Sequence, residues 1–107
     1  MDRHARIDKF SLAAHRLAVE RLREQPERLR EALDVLARWR RVADGPSHSD
    51  TYWDEWDRAL RDGVDAVERI ALDGSSHGQT LRSVSPLGRF ITAQERSALL
   101  REARQAA

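Results

Sequence analysis

Apolar residues recur in this chain at steps of three and four and nowhere alternate one by one between turn signals, so the pattern predicts helices and gives no strand. Ile7, Phe10, Ala14, Leu17, Ala18 and Leu22 share one face of a helix running from about Asp2 to Glu24, and its other face is nearly all charged. Gln25-Pro26 interrupts it, because a residue before proline is pushed away from helical angles. Pro26 suits the first turn of a second helix, where its missing N–H is not needed, and Glu27 complements the positive helix end. Leu29, Leu33, Leu36 and either Trp39 or Arg40 carry the second stripe to about Ala43, where Asp44-Gly45-Pro46 stops it.

The remaining punctuation sets four more helices. Ser49 or Asp50 N-caps a third helix through about Asp62, with Tyr52, Trp53, Trp56 and Leu60 as its apolar face. Gly63 ends it, and a short fourth helix from Val64 to about Leu72 turns Val64, Val67 and Ile70 or Ala71 inward. Ser76 and Gln79 predict a capping box for a fifth helix to about Ser83, and Thr92 with Glu95 predicts another for a last helix from Ala93 to about Gln105. Between them Val84-Ser85-Pro86-Leu87-Gly88 cannot be regular helix. The expected fold is all-α, a small bundle of five or six helices in one domain over residues 1–107. Residues 1–43 supply a helical hairpin or one kinked rod, and residues 44–107 a C-terminal helical cluster.

Composition narrows the functional classes. The chain has no cysteine, which excludes disulfides and thiolate metal sites. It has no apolar run of about 18 residues to span a membrane. Met1-Asp2-Arg3-His4 is unlike a secretion signal, so the cytoplasm is the expected location. Net charge is +1 but uneven: residues 1–41 carry +4, residues 42–74 carry −6 and residues 75–107 carry +3. The segments either complement one another within one fold or present the acidic middle to a basic groove on a partner.

No catalytic or metal-binding pattern stands out, and no cofactor is expected. His4, His15, His48 and His77 have no helical i,i+3 or i,i+4 relation, which makes them surface or capping histidines before ligands. Asp50, Asp54, Asp57 and Asp62 form an acidic edge, but Arg58 and Arg61 follow Asp54 and Asp57 by four residues and answer the charge locally. The same spacing predicts Glu24–Arg28 and Asp34–Arg38 pairs worth about 0.3 kcal/mol each. Gly74-Ser75-Ser76-His77-Gly78 lacks the lysine and preceding strand of a phosphate loop. The N-terminal arginines can track phosphates, yet interleaved carboxylates and the absence of a helix-turn-helix pattern argue against a dedicated DNA-binding domain.

Two features point instead to protein binding. Trp39, Tyr52, Trp53 and Trp56 are dense for so polar a chain, and the third helix carries aromatics over more than one stripe. One side can fill the core while the other anchors a partner. Leu81 to Ile91 is irregular yet rich in apolar residues, and either plugs a groove on a partner or folds back over its own helices.

The ordered pattern His15-Arg16, Arg21-Leu22, Pro26, Leu29, Leu33, Leu36-Ala37-Arg38-Trp39, Trp53-Asp54-Glu55-Trp56, Leu81-Arg82-x-x-Ser85-Pro86-Leu87-Gly88 and Glu95-Arg96 resembles small bacterial helical antitoxins of the MenA type, encoded beside nucleotidyltransferase-like toxins. The chain departs from that pattern at Ser83, Leu87, Gly88 and Ser97. The resemblance implies a non-enzymatic inhibitor that binds its cognate toxin and occludes the active site. On that basis the expected contact residues are Trp53, Asp54, Trp56 and Asp57 on the third helix, with Leu81, Arg82, Ser85, Pro86, Leu87 and Phe90 beyond it. The alternatives are a transcriptional regulator that binds its own operator DNA, and a homo-oligomeric helical scaffold. A small enzyme that modifies a partner covalently is a further class, without a supporting motif.

Overall fold

A computed structural model describes residues 3–105, with side chains from Ala5 onward, so the expected helix start at Asp2 and the role of His4 lie outside the described residues. Within them the chain is all-helical: α1 (Arg3–Glu24), α2 (Leu29–Ala43), α3 (Asp50–Asp62), α4 (Val64–Ala71), α5 (Ser76–Ser83) and α6 (Ala93–Gln105). Single 3-10 turns occupy Pro26–Arg28 and Gly88–Phe90.

The punctuation acts as its chemistry dictates. Pro26 opens the 3-10 turn after α1, where its absent N–H is harmless. Asp44 ends α2 in the left-handed region with φ 50°. Gly63 takes φ 123°, a conformation that costs a side-chain-bearing residue dearly, and so lets α4 start directly after α3. Before α6, the Thr92 N–H donates to Glu95 Oε1 at 2.8 Å while the Glu95 N–H donates to Thr92 Oγ1 at 3.1 Å, a complete capping box.

The cap of α5 differs from expectation by one residue. Ser75, not Ser76, caps it, accepting the Gly78 N–H at 3.2 Å. The cause lies upstream. The Asp73 carboxylate takes the Ser75 N–H at 2.8 Å and sets the turn one residue early. Gly78 completes the arrangement by close approach, since a Cβ on it would stand 2.0 Å from the Asp73 carbonyl oxygen.

α1 packs chiefly on α4 and α6 and also touches α5 and the Gly88–Phe90 turn, whereas α2 packs on α3. The two N-terminal helices therefore lean on later helices more than on each other, and residues 1–43 and 44–107 share one core. Ala18, Val19 and Leu22 of α1 meet Leu36 of α2, Trp56 and Leu60 of α3, Val67 of α4 and Leu81 of α5 in that core. The irregular stretch after α5 folds back over it. Pro86, Leu87 and Phe90 are all buried. Arg21 of α1 holds the stretch down by donating to the Phe90 carbonyl at 2.8 Å and forking onto Glu95 at the start of α6. The Arg28 guanidinium covers the Phe90 ring from 4.8 Å.

Trp56 is fully buried and its indole N–H donates to the Leu81 carbonyl at 2.9 Å. Trp56→Phe removes that bond and part of the ring volume from the core, leaving the Leu81 carbonyl with the Val84 N–H alone at 3.2 Å. We predict a loss of about 1–3 kcal/mol in urea unfolding. Gly78→Ala forces a backbone clash and is predicted to cost about 1–3 kcal/mol by the same assay. Unchanged midpoints would contradict this packing of α5.

Candidate functional site

Six of the expected contact residues, Trp56, Leu81, Arg82, Pro86, Leu87 and Phe90, lie inside the chain's own core. The physical reason is supply. The helices carry narrow apolar stripes, so the core is closed by the apolar residues of the irregular segment. In this fold those six are not available to a partner.

Arg82 shows how completely a charge can be absorbed. It is 4% exposed, yet Nη1 donates to the Ala71 and Asp73 carbonyls at 3.2 and 2.5 Å, and Nη2 donates to Asp8 at 2.7 Å. The guanidinium thus satisfies carbonyls at the negative end of α4 and ties them to α1.

His15 is a buried residue as well, contrary to its expected surface or capping role. It lies between Ala14 and Ala18 on the apolar face of α1, which was the signal available in the sequence. Its ring stacks on Trp56 with centroids 6.2 Å apart, and its Nδ1 is 2.7 Å from the Ser11 carbonyl. Burial pushes its pKa below the ordinary value of 6.5, against the raising effect of the Ser11 contact and with a smaller contribution from the Arg82 charge.

The expected residues that retain surface are Trp53, Asp54, Asp57 and Ser85. Ser85 accepts the Leu87 N–H at 3.1 Å and so shapes the turn. The other three sit together on α3. Trp53 is half-buried against Trp39 of α2, with ring centroids 6.0 Å apart at an angle of 39°. Arg40 lies 6.0 Å from the Trp53 ring and pairs with Asp54 at 2.8 Å. Asp57 pairs with Arg61 at 3.1 Å as its spacing predicts, whereas Asp54 takes Arg40 rather than Arg58. On the far side of α3, Tyr52 lies against His77, which bonds Glu55 at 2.8 Å.

Much of the acidic middle is answered from elsewhere in the chain. Arg23 reaches Asp65 at 2.9 Å and Glu68 at 2.7 Å, and Arg40 reaches Asp54. Of the local helix pairs expected before α3, Arg28 turns to Glu31 at 2.7 Å, because the break at Pro26 removes Glu24 from its helix face. Exposed pairs of this kind contribute about 0–1 kcal/mol, so a partner can exchange them at little cost. Among the described residues, no group of three or more histidine, aspartate or glutamate side chains is placed to hold a metal ion, and no helix is long and apolar enough to cross a membrane. Compared with known proteins, the chain matches no family model, no curated protein and no solved structure.

Glu95 and His15 contribute to the acid sensitivity of the fold, together with Glu31, held below its ordinary value by Arg28, and Asp73, held below its own by the Ser75 N–H. The Arg21 fork and the Thr92 N–H hold Glu95 down to about 2 from an ordinary 4.5. Its contribution is present above 4.5 and is lost as pH falls from there toward 2. His15 resists protonation in the fold, so the unfolded chain takes up its proton first and stability falls as pH drops below 6.5. Urea midpoints measured across pH should therefore fall in two stages. His15→Phe should remove the upper stage and Glu95→Gln should shrink the lower one, leaving the part that Glu31 and Asp73 contribute.

Proposed function

We propose that this chain is an antitoxin-like protein of the bacterial cytoplasm that binds a cognate nucleotidyltransferase-like toxin and occludes its active site. The observation that carries the binding role is the half-buried Trp39–Trp53 pair at the α2–α3 seam, framed by the Arg40–Asp54 and Asp57–Arg61 ion pairs. An aromatic centre with an ionic rim has the composition of a protein interface, where tryptophan and arginine concentrate the binding energy. The nature of the partner rests on the resemblance of the residue pattern to MenA-type antitoxins. A toxin that handles nucleotides presents cationic groups, and Asp54, Asp57 and Asp62 offer the complementary charge from one helix.

A regulator of its own operon is the second reading. It is favoured by Arg30, Arg38 and Arg41 on α2, which are exposed and form no ion pair among the described residues. A mobility shift with promoter DNA at several salt concentrations separates the two, because phosphate contacts weaken steeply with salt.

The test is co-expression with the product of the neighbouring gene, which this reading requires to be a nucleotidyltransferase-like protein that is lethal by itself. The natural chain should restore growth and form a stoichiometric complex. Trp39→Ala with Trp53→Ala, verified as helical by circular dichroism, should weaken binding at least about tenfold. Replacing Asp54, Asp57 and Asp62 with asparagine should slow association at low salt and leave it nearly unchanged at high salt. Full neutralisation by the double tryptophan variant would move the interface elsewhere. Recovery of the tagged chain alone from its native host, or with promoter DNA only, would remove the antitoxin role in favour of the scaffold or the regulator.

A further inference from the structure

The apolar stripe of α1 is longer than the core it feeds. The main buried cluster takes the stripe up at Ala18 and continues through Val19 and Leu22, whereas Ile7 and Phe10, earlier on the same face, lie outside it. At that end α1 meets the last turns of α6. The Arg21–Glu95 pair joins the end of α1 to the start of α6, while Ile7 and Leu100 line one groove, so the two helices run antiparallel. α6 brings only Leu100 and Ala103 as apolar cover here, and Ala103 is too small to fill the space. An open groove of about 330 Å³ results, floored by Ile7, Phe10, Leu100 and Ala103. Of the three large apolar side chains that stand exposed among the described residues, two are in it: Ile7 at 53% and Leu100 at 36%. A contiguous apolar patch with a polar rim marks an interaction surface.

Charge and shape choose the occupant. Arg6 of α1 and Arg104 of α6 border the groove. The nearby carboxylates face away from it. Asp8 turns to the buried Arg82 at 2.7 Å, and Glu102 is two residues from both Leu100 and Arg104, which puts it on the other side of α6. Water satisfies both guanidiniums, so the charge by itself calls for no ligand. Its sign instead selects among the partners that an apolar groove attracts. A second copy joined through the same face would crowd four arginines together. A flat bilayer does not enter a concavity between two helices, whereas an amphipathic helix does, by laying its apolar side chains into the groove.

We infer that this groove receives an amphipathic helix of a partner protein, one that sets branched apolar side chains on Ile7, Phe10 and Leu100 and carries carboxylates where it passes Arg6 and Arg104. Only α1 and α6 border the groove, so it is separate from the Trp39–Trp53 seam and independent of the antitoxin reading.

The test uses a stapled helical peptide with leucines along one face and glutamates on both sides of them. Its two controls carry lysines for the glutamates or serines for the leucines. Each is titrated into the full chain while side-chain methyl and amide resonances are followed by NMR. The glutamate peptide should give saturable shifts at Ile7, Leu100 and Ala103, with both controls at least about tenfold weaker. Arg6→Glu with Arg104→Glu should reverse the preference, so that the lysine peptide binds more tightly than the glutamate one. Ile7→Ser with Leu100→Ser should abolish binding of either. An unchanged Trp56 indole N–H resonance verifies the fold of each variant, and all four substitutions lie outside the main core. No saturable shift at millimolar peptide, or equal binding of the glutamate and lysine peptides, would overturn the proposal. So would shifts at Ile7 and Leu100 that follow protein concentration alone, which would assign the groove to a second copy, or stronger binding to phosphatidylglycerol vesicles than to the peptide, which would assign it to a membrane surface.

Discussion

Trp56 joins three parts of the chain that are far apart in sequence. Its indole ring stacks on His15 of α1, and its N–H holds the Leu81 carbonyl in α5. Once α5 is fixed there, Arg82 points into the interior and closes the negative end of α4 against Asp8. The chain beyond α5 then has to turn back, and Pro86, Leu87 and Phe90 are buried, with the Gly88–Phe90 turn packed on α1. Arg21 secures the far end of this turn through the Phe90 carbonyl and Glu95. A small domain has little core to spare, so the irregular segment is as much a part of the fold as the helices.

This arrangement decides what is left for function. The inward stripe of α3, Trp56 with Ala59 and Leu60, is consumed. The neighbouring stripe holds Trp53 against Trp39 on a seam that water reaches. The seam sits on two helices of 15 and 13 residues that pack on each other, which gives a rigid platform. A preorganised aromatic pair loses little conformational entropy on binding. Its ion-pair rim can reorient at small cost, because those charges already face solvent.

Much of this was legible in the sequence and the rest was hidden for physical reasons. Helix limits follow from local chemistry, so the ends of α3 at Asp62 and of α5 at Ser83 and the Thr92–Glu95 box match expectation, whereas Ser49 precedes α3 without a side-chain cap bond and the Asp50 carboxylate accepts the Ser47 N–H instead. The cap at Ser75 escaped because the Asp73 turn ahead of it has the same residue types as a cap one position later. The segment from Leu81 to Phe90 was ambiguous, since an apolar loop has one composition whether it fills its own core or a partner's groove. Arg82 was misplaced because a charge read alone belongs outside, and only the fold supplies Asp8 and the α4 carbonyls. The Arg40–Asp54 and Arg23–Asp65 pairs cross between helices, and spacing rules within one helix cannot see them.

Native-state hydrogen exchange on the isolated chain tests the central point, that the segment after α5 is internal core and the α2–α3 seam is the free surface. The amides of Phe90 and Ile91, bonded to the Leu87 and Gly88 carbonyls, should exchange through the same opening as the centre of α1 and respond equally to added urea. Exchange of those amides at the rate of an unstructured chain, with α1 still protected, would mean that the segment is a free arm and that the contacts of Trp56 do not hold it.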